Sequence, residues 1–213
     1  MHSWWARTEK IFQLTFIPTI PDPFTSIDGE KVTTKTDWSC RRDEINQLLQ
    51  RYELGALPPK PSDFPPHILP GILPSSHENV QENVWSFEGF ANSTSTYTLP
   101  FDHHMLAVLV APRALLLINN TSIDWLGAES VWGCIKTANK VYQALEIPDA
   151  MGLTQIGGHI YCQLPDSQLP DIAFVDKFLR GQQKNMSIFR TAGENELGFV
   201  DADWIGWTVL VLT

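Results

Sequence analysis

The chain has 213 residues, 43% hydrophobic and 18% charged, with a formal net charge of −9. This composition predicts a globular chain with one domain as the starting expectation. A negative field of that size disfavours nucleic acid and anionic membrane surfaces as partners, and the longest apolar stretch, "MLAVLVAPRALLLI", is split by Pro112 and Arg113 into halves too short to cross a bilayer.

In chain order, the N-terminus "MHSWWARTEKIFQLTFIPTIPDP" places Arg7, Glu9 and Lys10 inside any apolar core and does not read as a signal peptide. Residues 33–62 predict a helix capped by Thr36 or Asp37, with Trp38, Ile45, Leu48, Leu49 and Tyr52 at helical spacing and Gly55 at its end. Residues 58–76, "PPKPSDFPPHILPGILPSS", hold seven prolines in nineteen residues and predict a connector without a hydrogen-bonded ladder. Beyond it, "MLAVLVAPR" (105–113) reads as a short helix or buried turn, and "ALLLIN" (114–119) as a strand buried on both faces of a parallel sheet. Residues 128–147 carry Val131, Cys134, Ile135, Ala138, Val141, Tyr142 and Leu145 on one helical stripe. "GLTQIG" (152–157) predicts a second strand, and 168–182 a helix with Pro170 in its first turn and Gly181 at its end. Strand, helix, strand, helix is the signature of an α/β sheet. The aromatic tail "GFVDADWIGWTVLVLT" is expected to pack back on the body.

Open α/β sheets gather functional groups at the carboxyl ends of their strands. Two loops have that address, "NNTSIDWLG" and "GGHIYCQLP". Asp124 in the first and His159 in the second follow the order in which an α/β-hydrolase triad closes, the acid orienting the base. A loop cap for Asp124 and a backbone-bonded turn residue for His159 are the plainer readings of the same side chains. The serine that such a pair would serve needs a Gly-x-Ser-x-Gly elbow, and none occurs; Ser130 comes nearest but opens a helix with no strand elbow before it. No Gly-rich phosphate loop or H-E-x-x-H occurs. His103 and His104 beside Asp102 suggest a metal only weakly, because adjacent side chains point apart. Cys40, Cys134 and Cys162 form no C-x-x-C and read as structural thiols with at most one internal disulfide. Asn92, Asn119, Asn120 and Asn185 each open a glycosylation tripeptide.

Three blocks of the sequence carry a family resemblance: "PDPFTSIDGEKVTTKTDWSCRRDEINQLLQRYELGALPPKPS", "TLPFDHHMLAVLVAPRALLLINNTSIDWLGAESVWGCIKTANKVYQALEIPDAMGLTQIGGHIYCQLP" and "MSIFRTAGENELGFVDADWIGWTVLVLT". The chain resembles the glucuronoyl esterases, carbohydrate esterase family 15, in their fungal branch. The resemblance implies an α/β-hydrolase fold, here truncated to an incomplete three-layer αβα sandwich. It also implies a secreted serine-type esterase, without metal or cofactor, that cleaves esters between 4-O-methyl-glucuronic acid on glucuronoxylan and lignin alcohols. On this reading residues 1–20 are an unassigned extension, 21–62 the N-terminal segment of the esterase domain, 63–76 a Pro-rich junction replacing the middle, and 77–213 the C-terminal part. The family's Gly-Cys-Ser-Arg elbow, its oxyanion-stabilising arginine and its triad glutamate belong to that middle and have no counterpart here.

The family pattern Gly-Gly-His-x-His-Cys meets "GGHIYC". Tyr161 therefore occupies the position of the base, and His159 matches the earlier, non-catalytic histidine. A phenol with an ordinary pKa near 10 is a poor base at neutral pH. Glu82 and Trp125 match residues that hold the glucuronate. The family's partners for Cys40, Cys134 and Cys162 are all missing, which implies three free thiols. The expected function is a truncated, catalytically inactive esterase. A non-catalytic glucuronoxylan-binding remnant and a live hydrolase built on Asp124, His159 and an unrecognised serine are the alternatives. A sheet stripped of its central strands is expected to be marginally stable or to depend on another chain.

Overall fold

A computed structural model describes residues 19–55, 99–159, 164–166, 168, 171, 173–183, 188–191 and 198–213. The first helix, α1 (Lys35–Leu49), is capped by Thr34 and not by Thr36 or Asp37. Asp37 sits three residues into the helix and completes a capping box. Its backbone N–H donates to the Thr34 hydroxyl at 3.0 Å, and its carboxylate accepts the Thr34 N–H at 2.9 Å. Hydrogen bonds to the carboxylate from the N–H of Thr33, first, and from the hydroxyl and N–H of Thr34 hold the Asp37 carboxyl below its usual range. The helix buries Trp38, Ile45, Leu48 and Leu49 as its spacing predicts, runs into a π-helical turn at Gln50–Leu54, and stops at Gly55, where φ is 72°.

Chain re-entry at Leu99 leads to α2 (His103–Val108), which Asp102 caps through His103 N–H. Then come β1 (Leu115–Asn120), α3 (Ala128–Ala144), β2 (Met151–Ile156), α4 (Ala173–Leu179), β3 (Phe189–Thr191) and α5 (Asp201–Trp204). The strands form a parallel sheet in the order β1-β2-β3, with Leu115 level with Met151 and Leu153 level with Phe189. This is the expected α/β pattern, each parallel pair joined through a helix. The stripe on α3 is buried at Val131, Ile135, Ala138, Val141 and Tyr142, while Cys134 and Leu145 are only half-buried. Tyr142, wholly enclosed, donates its hydroxyl to the Arg113 carbonyl at 2.9 Å, and burial pushes its phenol far above the usual value.

Two expectations need correction. β1 is not buried on both faces: Leu115, Leu116 and Leu117 are half-buried and Ile118 is 42% exposed. The reason is position, since among the described residues β1 lies at the edge of the sheet. The helix expected over 168–182 is shorter, Ala173–Leu179. Gln168 ahead of it is drawn into the interior, where its amide donates to the Thr154 carbonyl and hydroxyl at 3.4 and 3.3 Å.

The tail does pack back. Ile20 N–H donates to Trp204 O at 2.7 Å, Trp207 Nε1 to Ile20 O at 3.1 Å, and Leu212 N–H to Ala144 O at 3.2 Å. Thr213 bonds both to Thr33 O and to the N–H of Lys35. Leu212, 1% exposed, joins Phe24, Trp38 and Val141 in one core.

Candidate functional site

The carboxyl ends of β1 and β2 bring together Asn119, Asn120, Thr121 and Ser122 from one loop and Gln155, Gly157, Gly158 and His159 from the other. Gly157 has to be glycine. A Cβ there would lie 2.6 Å from the Ser122 hydroxyl and 2.7 Å from that of Thr121. Gly158 adopts a φ of +80°, which favours glycine for conformational reasons. The turn presses its backbone onto the hydroxyls of the neighbouring loop, and Gly158 N–H donates to Ser122 Oγ.

Asn120 organises this corner. Its Oδ1 accepts the Ser122 N–H at 2.9 Å, which fixes the amide orientation. Its Nδ2 then donates to the His159 carbonyl at 3.1 Å and faces His159 Nδ1 at 3.4 Å. The other ring nitrogen, Nε2, lies 3.1 Å from the Ile156 carbonyl. That acceptor requires the proton on Nε2 and leaves Nδ1 as the lone-pair side turned to Asn120. Both nitrogens are thus held by structural partners. Asp124 opens a short 3₁₀ turn, Asp124–Leu126, on an exposed position, and its backbone carbonyl accepts Gly127 N–H. No hydrogen bond or ion pair is formed between Asp124 and His159. Chemically the corner is a well-bonded turn, and a base would need a free ring nitrogen beside a hydroxyl.

Beneath it lies a buried amide layer. Gln155, 0% exposed, donates to Asn119 Oδ1 at 3.0 Å and to Ala128 O at 2.8 Å, tying the two strands to the start of α3. Asn119 and Asn120 are themselves only 9% and 7% exposed. Their glycosylation tripeptides are therefore unusable in the folded chain, since the acceptor amides point inward. The sequence reading missed Asn120 and Gln155. The signal available was polarity at the end of otherwise apolar strands, "LLLINN" and "GLTQ".

Of the remaining candidates, Glu82, Tyr161, Cys162, Asn92 and Asn185 lie outside the described residues. The backbone of Trp125 is in the 3₁₀ turn after β1. Ser130 is half-buried in the first turn of α3. Cys40 is an exposed, free thiol. His103 and His104 separate as adjacent residues should: His103 Nε2 meets Glu53 Oε1 at 2.7 Å, and His104 is fully buried. Among the described residues, no group of three His, Cys, Asp or Glu side chains could hold a metal ion, and no helix is long and apolar enough to cross a membrane. A cavity of about 790 Å³ opens elsewhere, between residues 19–33 and the tail, with the Lys31–Asp22 ion pair and Trp207 in its wall. None of the strand-end residues lines it.

Residues 72–146 match the family described as glucuronyl esterase, fungi. The 4-O-methyl-glucuronoyl methylesterase 1 of Phanerochaete chrysosporium is 41% identical over 141 residues, 64% of this chain and 29% of that protein. The glucuronoyl esterase catalytic domain from Hypocrea jecorina superposes with a TM-score of 0.76 at 23% identity, covering 95% of this chain and 99% of that one. A Sporotrichum thermophile glucuronoyl esterase mutant, in complex with methyl 4-O-methyl-β-D-glucopyranuronate, does so with a TM-score of 0.76 at 20% identity, covering 93% and 97%. These likenesses show the fold, a partial α/β-hydrolase. In sequence the chain spans about 30% of the length of the curated relatives it matches. In sequence over part of its length, and in fold, the chain is similar to the glucuronoyl esterases.

Proposed function

We propose that this chain is a truncated glucuronoyl esterase that no longer hydrolyses the ester. The observation that carries the reading is the state of His159, whose two ring nitrogens are committed to Asn120 and to the Ile156 carbonyl. The residue at the family's base position is Tyr161, and no Gly-x-Ser-x-Gly elbow supplies a nucleophile. Acyl transfer needs nucleophile, base, orienting acid and oxyanion donors as a unit, and losing one member already removes most of the rate. The ligand in the Sporotrichum thermophile complex, a methyl glucuronate ester, indicates the substrate class that the full-length relatives of this chain recognise. Secretion is expected on the same family ground.

The test is hydrolysis of a methyl glucuronate ester by the purified chain. No turnover above background is expected, and Tyr161→His alone restores none, because a base with no hydroxyl to deprotonate has no role. Turnover that disappears in His159→Ala or Asp124→Asn would overturn the reading and install those two residues as base and acid. Retained binding of glucuronoxylan is the second reading, and it predicts that Trp125→Ala abolishes the binding.

A further inference from the structure

The edge of β1 combines features that isolated edge strands avoid. An unpaired strand edge offers a row of N–H and C=O groups to any other strand, and proteins normally blunt it with charge, proline or a bulge. Among the described residues β1 pairs on one side only, with β2. Its sequence, Leu-Leu-Leu-Ile-Asn-Asn, has no charge and no proline, and its register with β2 runs through all six residues without a bulge. Leu115 and Leu117 pack against the core, while on the opposite face Ile118 is 42% exposed. The charges stand at the two ends: Arg113 just before the strand and Asp124 just beyond it, both exposed. Neither has an ion-pair partner among the described residues.

We propose that this edge binds a second copy of the chain, β1 against β1, antiparallel across a two-fold axis. The commitment to a like copy comes from charge. Two molecules of net charge −9 repel over most of their surface, but this strip is neutral, and an antiparallel arrangement brings its basic end to the partner copy's acidic end. Side chains alternate along a strand and directly opposed residues share a face, so the axis must pass through a residue. With it at Ile118, Leu116 faces Asn120, Leu117 faces Asn119 and Ile118 faces its own copy. Arg113 then stands level with Ile123, next to Asp124. A parallel arrangement would set Arg113 against Arg113 and Asp124 against Asp124. The pairing satisfies the open ladder of both copies, covers Ile118 in both, and makes one continuous sheet of six strands from two of three.

Sedimentation of the chain under reducing conditions, which removes disulfides through Cys40 as a cause, is expected to show a monomer–dimer equilibrium. Ile118→Lys is expected to weaken dimerisation at least about tenfold by placing a charge on the strand. The decisive set leaves the packing alone. Arg113→Asp and Asp124→Arg should each weaken the dimer, and the double variant should restore it to within about threefold of the parent, because the charge pair is reversed and not removed. Circular dichroism identifies any variant that unfolds, and the exposed Arg113 and Asp124 changes keep the test open if Ile118→Lys does. A chain that stays monomeric at every concentration overturns the proposal. So does a dimer indifferent to Ile118→Lys in a folded variant, or a double variant that fails to recover.

Discussion

Two buried polar clusters sit on the same helical element and are finished very differently. In the middle of α1, Arg41 and Glu44, 5% and 6% exposed, pair with each other, and both have further work. Glu44 accepts the Ile27 N–H at 3.2 Å, and Arg41 Nε donates to the Pro23 carbonyl at 3.3 Å. At the far end, Glu53 meets His103, yet among the described residues Glu53 Oε2, His103 Nδ1 and both nitrogens of His104 have no hydrogen-bond partner. The first cluster is a staple that holds residues 23–27 onto α1. The second is a place where protonation changes the free energy of the fold.

The largest effect expected is at the staple. Glu44→Ala would leave the Arg41 guanidinium buried without a counter-charge, and a cost of about 3–5 kcal/mol is expected in a urea melt. A loss below 1 kcal/mol would mean that water or another group reaches Arg41 and that the two clusters are less different than they look.

Next is the pH profile. Burial pushes His104 down to about 4; the Asp102 charge opposes this, and the Pro21 carbonyl pulls weakly the same way as Asp102 without hydrogen-bond geometry. The unfolded chain therefore binds a proton that the folded chain refuses between about pH 6.5 and 4. Stability from this group is complete above that window and falls as the pH drops through it, by up to about 3 kcal/mol. His103 runs the other way. Burial opposes its charge, but the hydrogen bond and charge of Glu53, helped by Asp102, outweigh that and raise it. Its contribution is present below about 6.5 and is lost as the pH rises through the raised value. Urea midpoints measured from pH 4 to 8 should lose their acid-side slope in His104→Leu and their alkaline-side slope in His103→Gln. Parallel profiles in parent and variants would remove the distinction between the two clusters.

A smaller change, roughly 1–2 kcal/mol, is expected for Asn120→Ala, which deletes the amide bonds to Ser122 and His159. Imidazole nitrogen shifts in that variant should show His159 released from its single tautomer. The smallest effect is expected for Cys40→Ser, within about 0.5 kcal/mol, because the thiol is exposed and bridges nothing. Cys40 should also react with a thiol reagent in the native chain, and protection there would contradict a free thiol.

Periodicity and terminators made much of the fold legible beforehand. Helical spacing placed the buried face of α1, Gly55 marked its end, and both long strands fell where apolar runs predicted. What failed depended on neighbours that no local pattern encodes. "ALLLIN" reads the same whether another strand covers it or not, so its edge position was invisible. Gln168 looked like a helical residue until Thr154, fourteen positions away, claimed its amide. At the candidate site the family pattern around "GGHIYC" reads His159 as a turn residue, but Asn120 as the partner that faces its ring could not be read from one sequence. Hydrogen-bond partners across two loops are a property of packing.

The bonds that tie Leu212 and Thr213 to Ala144, Thr33 and Lys35 also bear on how the chain is made. A ribosome releases residues 33–49 long before residue 212 exists, so α1 emerges with its apolar face lacking the side chains that finally cover it. Contacts this distant in sequence are slow to form, since the whole intervening loop must close first. During synthesis the nascent chain must therefore keep Trp38, Ile45 and Leu48 from other partners until the last strip arrives, which makes α1 the segment on which a holding chaperone would act.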